Sequence, residues 1–301
     1  MLVNGCHLLH TRRDRLGVAI VIALSFEILN VFVWAGERLS GNPLCVIEHA
    51  QALDTTAMQA LARQFNLSET AFLLPSETAN ARVRIFTPDF EMPFAGHPVL
   101  GTAHVCRARG LGGDELSLET QSGVIPLRAR GNRWTFQAVT PSWREVHESP
   151  AALAEMMGLL PSDIVDRPLW VKSGKEQLII PLATADAVER ARPTADLFSR
   201  VQNDERRGMA YIFALTGSDR VNARYFFPSG QAIVEDPATG SATANLGGWW
   251  LGMNRPLPIA LTISQGRQVH RPSELTLEID AVRTVRVSGV VIELARGTIN
   301  L

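Results

Sequence analysis

The apolar positions of this chain change period along its length, and the changes mark its elements. Residues 26–34 (FEILNVFVW) form an apolar run of strand character, and Gly41, Asn42 and Pro43 make a turn before a second strand at 44–47. From Asp54 the period becomes helical: Met58, Leu61, Ala62 and Phe65 lie on one face, with Asp54 as the N-cap and Asn66 as the stop. Ser68, Glu69 and Thr70 follow directly, then an apolar strand at 71–74 closed by Pro75, so Glu69 sits where a helix hands over to a strand. Residues 81–86 (ARVRIF) alternate as a strand, a helix follows the segment 96–101 and ends near Gly110, and strand patterns recur at 115–119, 124–128 and 133–137. Thr140, Pro141 and Ser142 are turn residues where the strands run out and are read as a linker. Beyond them come helical patterns near 151–157, 185–192 and 195–201 and an apolar strand at 178–181. The segments 143–148 and 171–177 read as variable loops that set specificity.

An internal repeat changes this picture. Arg84-Ile85-Phe86-Thr87-Pro88 is echoed by Arg224-Tyr225-Phe226-Phe227-Pro228, an offset of 140 residues. The segment from Gly96 and His97 to Ala103 is echoed by that from Glu235 and Asp236 to Ala242, aligned on Gly101 and Gly240 at an offset of 139. One residue is therefore gained or lost between the two echoes, and the chain is read as duplicated half-domains. In each copy a proline stands where a helix begins, so helices are expected to start at Pro98 and Pro237. Helix N-termini carry free N–H groups and partial positive charge, so two of them facing one cleft can hold a carboxylate. Taken alone, Asp236 also reads as an N-cap, Ser241 as a hydroxyl bonded to the local backbone, Glu69 as a solvated residue and Asn42 as turn chemistry. His97 is a poor N-cap, which favours a functional role for it.

The 301 residues are 46% apolar and 20% charged, enough for a large core, and 29 basic against 30 acidic residues leave a net charge of −1. That balance excludes the basic footprint of a nucleic-acid partner. Cys6, Cys45 and Cys106 form no C-x-x-C pair and fit reduced thiols of a cytoplasmic protein, and the seven histidines make no metal constellation. Arg12, Arg13 and Arg15 precede an apolar run at 16–24 that is too short to span a bilayer. With Ala23-Leu24-Ser25 as a cleavage site it reads as a signal peptide, and without one as a poorly ordered leader or a misassigned start. The leader reading, without a membrane span, is preferred.

The stretches SGNPLCVI, MQALARQFNLSETAFLLP, RIFTPDFEMPFAGHPVLGTAH, VEDPATGSATANL and SQGRQVHRPSEL occur in this order from residue 40 to residue 275. Together they resemble the phenazine biosynthesis-like (PhzF) family, whose fold is shared with diaminopimelate epimerase. The resemblance implies an α/β (α+β) fold of two pseudo-symmetric domains, each a curved, mostly antiparallel sheet around a central helix. Residues 1–24 would be the leader, 25–141 and 142–286 the two half-domains, with the C-terminal strand 287–301 completing the first. It implies that Glu69 is the catalytic acid/base, that His97, Asp236 and Ser241 are its catalytic partners, and that Asn42, Ser68, Gly96 and Gly240 bind substrate. Diaminopimelate epimerase uses two opposed cysteines beside the corresponding glycine motifs, and here FAGHP and EDPATGSA hold no thiol. The expectation is a cofactor-free, metal-free isomerase of a small carboxylic acid, a homodimer by family analogy, in which one carboxylate moves the proton. An amino-acid racemase or epimerase and a catalytically silent metabolite-binding protein are the alternatives.

Overall fold

Seventeen strands and six α-helices account for most of residues 22–301, the part of the chain that this computed structural model describes. The first half contains β1 (Ala23–Val31), β2 (Asn42–Ile47), α1 (Thr55–Phe65), β3 (Glu69–Leu74), β4 (Ala81–Phe86), β5 (Glu91–Met92), α2 (Gly96–Ala108), β6 (Glu115–Thr120), β7 (Gly123–Arg130) and β8 (Arg133–Gln137). The second contains β9 (Ser142–Glu145), α3 (Pro150–Met156), β10 (Leu169–Lys172), β11 (Glu176–Pro181), α4 (Ala185–Arg190), α5 (Ala195–Phe198), β12 (Ala210–Leu215), β13 (Arg220–Ser229), β14 (Ala232–Asp236), α6 (Gly240–Gly252), β15 (Ile259–Gln265), β16 (Ser273–Ile279) and β17 (Val285–Asn300).

The two halves share one pairing scheme. In the first, β1 pairs with β2, β2 runs parallel to β3, β3 pairs with β4, and β4 runs parallel to β6 before the antiparallel series β6, β7, β8. In the second, β10 pairs with β11, β11 runs parallel to β12, β12 pairs with β13, and β13 runs parallel to β15 before β16 and β17. The last strand belongs to both. Its first residues lie between β16 and β8, and its later residues pair with the whole of β1, which closes a ring of strands around α2. Helices α2 and α6 are the cores of the two halves. Val99, Leu100, Ala103, Val105 and Cys106 on α2, and Ala242, Leu246, Trp249 and Leu251 on α6, are all buried. A helix buried on nearly every face has to lie inside a protein, and strands wrap each of these two.

The repeat is visible in side chains. Arg84 pairs with Glu91 at 2.6 Å and lies over the Phe86 ring, and Arg224 pairs with Glu235 at 2.7 Å and lies over Phe226. The offset is 140 at the arginines and 144 both at the glutamates and at the first residues of α2 and α6. Four residues, not one, are inserted, and the longer β13–β14 hairpin takes them up. The alignment of Gly101 with Gly240 is therefore corrected to Gly96 with Gly240. The helix starts move with it: α2 begins at Gly96, with Pro98 in its first turn, and α6 begins at Gly240, three residues after Pro237.

Other boundaries shift for simpler reasons. The first strand begins at Ala23, so residues 23–24 belong to β1 and not to a leader, because they pair with Asn300 and Ile299. Residues 1–21, with Cys6 and the arginine cluster, lie outside the described residues. The segments 143–148 and 171–177 are partly strand: β9 pairs with β10, and β10 and β11 form a hairpin. Among the described residues no helix is long and apolar enough to cross a membrane.

A Cβ placed on Gly96 would lie 3.2 Å from the Cα of Gly240 and 3.3 Å from the Phe136 ring. Gly96→Ala is expected to lower stability by about 1–3 kcal/mol through overpacking. Gly113→Ala, where nothing lies within 4 Å of the added carbon, should be neutral. Urea unfolding of both variants checks this, and equal midpoints would show that the helix starts do not abut.

Candidate active site

The site grows from the meeting of α2 and α6. Intrahelical bonding begins with the Val99 N–H to Ala95 and the Thr243 N–H to Thr239. The N–H groups of Gly96, His97, Gly240, Ser241 and Ala242 thus precede the helical ladder and carry its partial positive charge. With no Cβ on Gly96 or Gly240, the two helix ends come within contact distance. His97 and Ser241 are the second residues of the two helices, so they are structural counterparts.

Glu69 enters from the first half. Helix α1 is capped by Asp54, whose side chain accepts from the Ala57 N–H at 2.8 Å, and stops at Asn66 in the left-handed conformation. Ser68 is half-buried in the bend that follows, and Glu69 is the first residue of β3. Its Oε2 lies 3.4 Å from His97 Nε2, with the two side chains 15% and 5% exposed. Neither atom has a hydrogen-bond partner in the protein, although both are buried. Buried polar atoms are almost always satisfied, so this unpartnered pair is the candidate contact for the polar atoms of a ligand.

The electrostatics follow from burial. Desolvation, reinforced by the negative charge of Asp236 and eased by the cation of Lys175, holds the Glu69 carboxyl well above the ordinary carboxylate range. Desolvation pushes His97 down to about 3, against the effect of its hydrogen bond to the Pro43 backbone, so the imidazole is neutral. With that bond at the other ring nitrogen, Nε2 presents a lone pair to a protonated Glu69.

Asp236 differs in kind. Burial raises its pKa as well, but donors from Thr239 and Asn42 oppose the shift. Its Oδ1 accepts from Asn42 Nδ2 at 3.0 Å and its Oδ2 accepts from the Thr239 hydroxyl, so both oxygens are engaged. Asp236 is not the N-cap of a helix. It ends β14, and Thr239 is the N-cap of α6. Asn42 is more than turn chemistry: it is fully buried at the start of β2 and donates to both Asp236 and the Ala238 carbonyl, tying the two halves together. Ser241 accepts from Gln177 Nε2 at 3.2 Å, a partner on β11 instead of the local backbone.

The structure thus brings Glu69, His97, Gly96, Gly240, Ser241, Asp236 and Asn42 to one place, with Ser68 beside Glu69. Several neighbours were not singled out from the sequence. Gln265 donates to the Asp236 carbonyl at 2.9 Å and to the Thr239 hydroxyl, and it stands in the SQGR stretch before Gly266. Gln177 also donates to the buried Tyr225 hydroxyl at 3.2 Å. Lys175 and Gln177 lie in the segment read as a loop, where no periodicity marked them. Among the described residues no cluster of three or more histidine, cysteine, aspartate or glutamate side chains is placed to hold a metal.

Comparison with known proteins identifies the family and the fold. The family model described as phenazine biosynthesis-like protein matches residues 31–297. An uncharacterized isomerase of Pasteurella multocida is 36% identical over 91% of this chain and 93% of its own. The trans-2,3-dihydro-3-hydroxyanthranilate isomerase of Pseudomonas aeruginosa is 35% identical over 85% of this chain and 92% of its own. A PhzF-family phenazine biosynthesis protein of Bacillus anthracis, 23% identical, superposes with a TM-score of 0.80 over 92% of this chain and 99% of its own, which shows the shared fold. The chain belongs to the phenazine biosynthesis-like (PhzC-PhzF) family, as an isomerase.

Proposed function

We propose that this enzyme isomerises a small carboxylic acid by moving one proton between two carbons, with Glu69 as the general acid/base. The observation that carries the reading is the buried pair of Glu69 Oε2 and His97 Nε2 at 3.4 Å, both without protein partners, beside two abutting helix starts.

In the ionised form Glu69 takes a proton from a carbon conjugated with the acid. The electron pair left behind spreads into the conjugated system. The N–H groups at the starts of α2 and α6 hold the negative charge that develops there. His97, neutral, keeps the Glu69 carboxyl oriented. Glu69 then returns the proton to another carbon on the same face, so a double bond shifts and nothing is oxidised or reduced. A raised carboxyl pKa suits both steps, since the group must gain and lose a proton near working pH. An epimerase with two bases would need a second free acid on the opposite face. Asp236 is the available carboxylate, and its two oxygens are already engaged by Asn42 and Thr239. That favours the one-base reading. Cyclic acids of the anthranilate kind, named in the Pseudomonas aeruginosa relative, head the panel of candidate substrates.

Glu69→Gln keeps shape and hydrogen bonding but cannot accept a proton. Screened against a panel of unsaturated and cyclic carboxylic acids, the variant should bind the acid that the parent turns over and lose ~10²–10⁴-fold in kcat. A variant within a few-fold of the parent would remove Glu69 from the role.

The same substitution has a signature without substrate. Because the native Glu69 pKa is raised, the folded protein keeps a proton that the unfolded chain has already lost. The contribution of this group to stability is therefore full below the ordinary carboxylate range and declines as pH rises toward the raised value. Glu69→Gln has no proton to lose, so it should gain on the parent as pH rises from about 4. Urea midpoints measured across pH check this, and parallel curves would mean that Glu69 titrates normally.

A further inference from the structure

We propose that Lys175 is the specificity-determining cation of this cleft and pairs with an ionised carboxylate of the substrate, so that acids are taken and their neutral amides are not. The inference rests on the isomerase reading and adds the residue that selects the substrate class.

The chain uses arginine at 27 of its 29 basic positions, and its two lysines, Lys172 and Lys175, both lie on the β10–β11 hairpin. Lys172 is exposed, whereas Lys175 is half-buried at the hairpin turn. A compact ammonium at this point is therefore not the background habit of the sequence, and it differs chemically from a planar guanidinium.

The backbone on both sides of Lys175 is held in place. Asn245 on α6 accepts from the Ser173 N–H at 2.8 Å and donates to the Lys175 carbonyl at 2.9 Å and to Gln177 Oε1 at 2.7 Å. From the other side, Asn203 Nδ2 donates to the Glu176 carbonyl at 3.0 Å. Gln177, two residues on, reaches Ser241 in the first turn of α6. The hairpin turn is thus clamped beside the start of α6, where the site lies.

The charges around Lys175 leave it for a ligand. Its neighbour Glu176 pairs with Arg144 at 2.8 Å, but Lys175 has no carboxylate within 4.0 Å among the described residues. Its ammonium and the Glu69 carboxyl are near enough for each to alter the other's proton affinity, with Arg207 and Glu205 as the other charged groups acting on it. Lys175 is thus a half-buried cation with no ion pair among the described residues, carried by a turn clamped to α6, and a substrate carboxylate supplies the missing partner. A neutral analogue would cover the ammonium with nothing to compensate it.

Anthranilate and anthranilamide, which differ in charge but little in shape, are the probes, with affinities read by calorimetric titration. The parent should bind anthranilate at least ~10-fold more tightly, the effect of one charge-assisted hydrogen bond. Lys175→Gln should lose that preference while binding anthranilamide within about twofold of the parent, the expectation for a lost ion pair with the pocket intact. Lys175→Arg, which keeps the charge, should retain part of the preference, and it serves as the folded control if the glutamine variant binds neither probe. A parent that binds anthranilate no better than anthranilamide, or not at all, overturns the proposal, as does a Lys175→Gln protein that keeps the preference. Binding needs no turnover, so the two readings fail separately. The expected preference with no acid of the panel isomerised sinks the isomerase reading alone. Turnover with the preference intact in Lys175→Gln sinks the Lys175 assignment alone.

Discussion

Two helices meet start to start at Gly96 and Gly240, and the rest of the molecule is arranged to permit that contact. Like ends of helix dipoles repel, and the N–H groups at those ends need acceptors. The strands solve the mechanical part. Each central helix is wrapped by its own half, and β17 passes from β16 and β8 to β1, so one strand ties the two wraps together. Asn42 adds a direct bond across the junction to Asp236 and Ala238. What remains at the junction is a set of helix-start N–H groups with partial positive charge, suited to an anion.

The two carboxylates at this junction are held differently, and hydrogen bonding sets them apart. Asp236 is held by Asn42 and Thr239 and backed by Gln265, so both of its carboxyl oxygens are engaged. Glu69 meets only a neutral histidine, with one oxygen unpaired. Burial raises the proton affinity of both, but only Glu69 has a free oxygen with which to use it. In the proposed mechanism, the same burial that destabilises the Glu69 anion fits it to carry a proton.

Local signals were legible in the sequence where the chemistry is local. The α1 helix, its Asp54 cap, its Asn66 stop and the placement of Glu69 at the head of β3 all follow from short-range pattern. The duplicated arginine strands were legible too, and the structure adds the reason: each arginine pairs with a glutamate on the returning strand. The helix starts were not legible, because the preference of proline for the first turn pointed to Pro98 and Pro237. Proline is tolerated anywhere in that turn, which hides the starting residue, and Asp236 bonds forward to the Thr239 hydroxyl instead of capping a backbone N–H. The length of the β13–β14 hairpin, which carries the insertion, leaves no mark on hydrophobic period. Lys175, Gln177 and Gln265 reach the site through pairings distant in sequence, and such contacts have no local signature.

The central claim is that a single carboxyl group lifts a proton from one carbon and returns it to another on the same face. Its most direct test is isotopic. An acid that the parent isomerises should, in deuterated water, gain solvent deuterium at the newly protonated carbon, on one face only, with some original hydrogen retained where its return outpaces exchange with solvent. Glu69→Gln should incorporate none. Deuterium on both faces of that carbon, or incorporation by Glu69→Gln at the parent rate, would contradict the account.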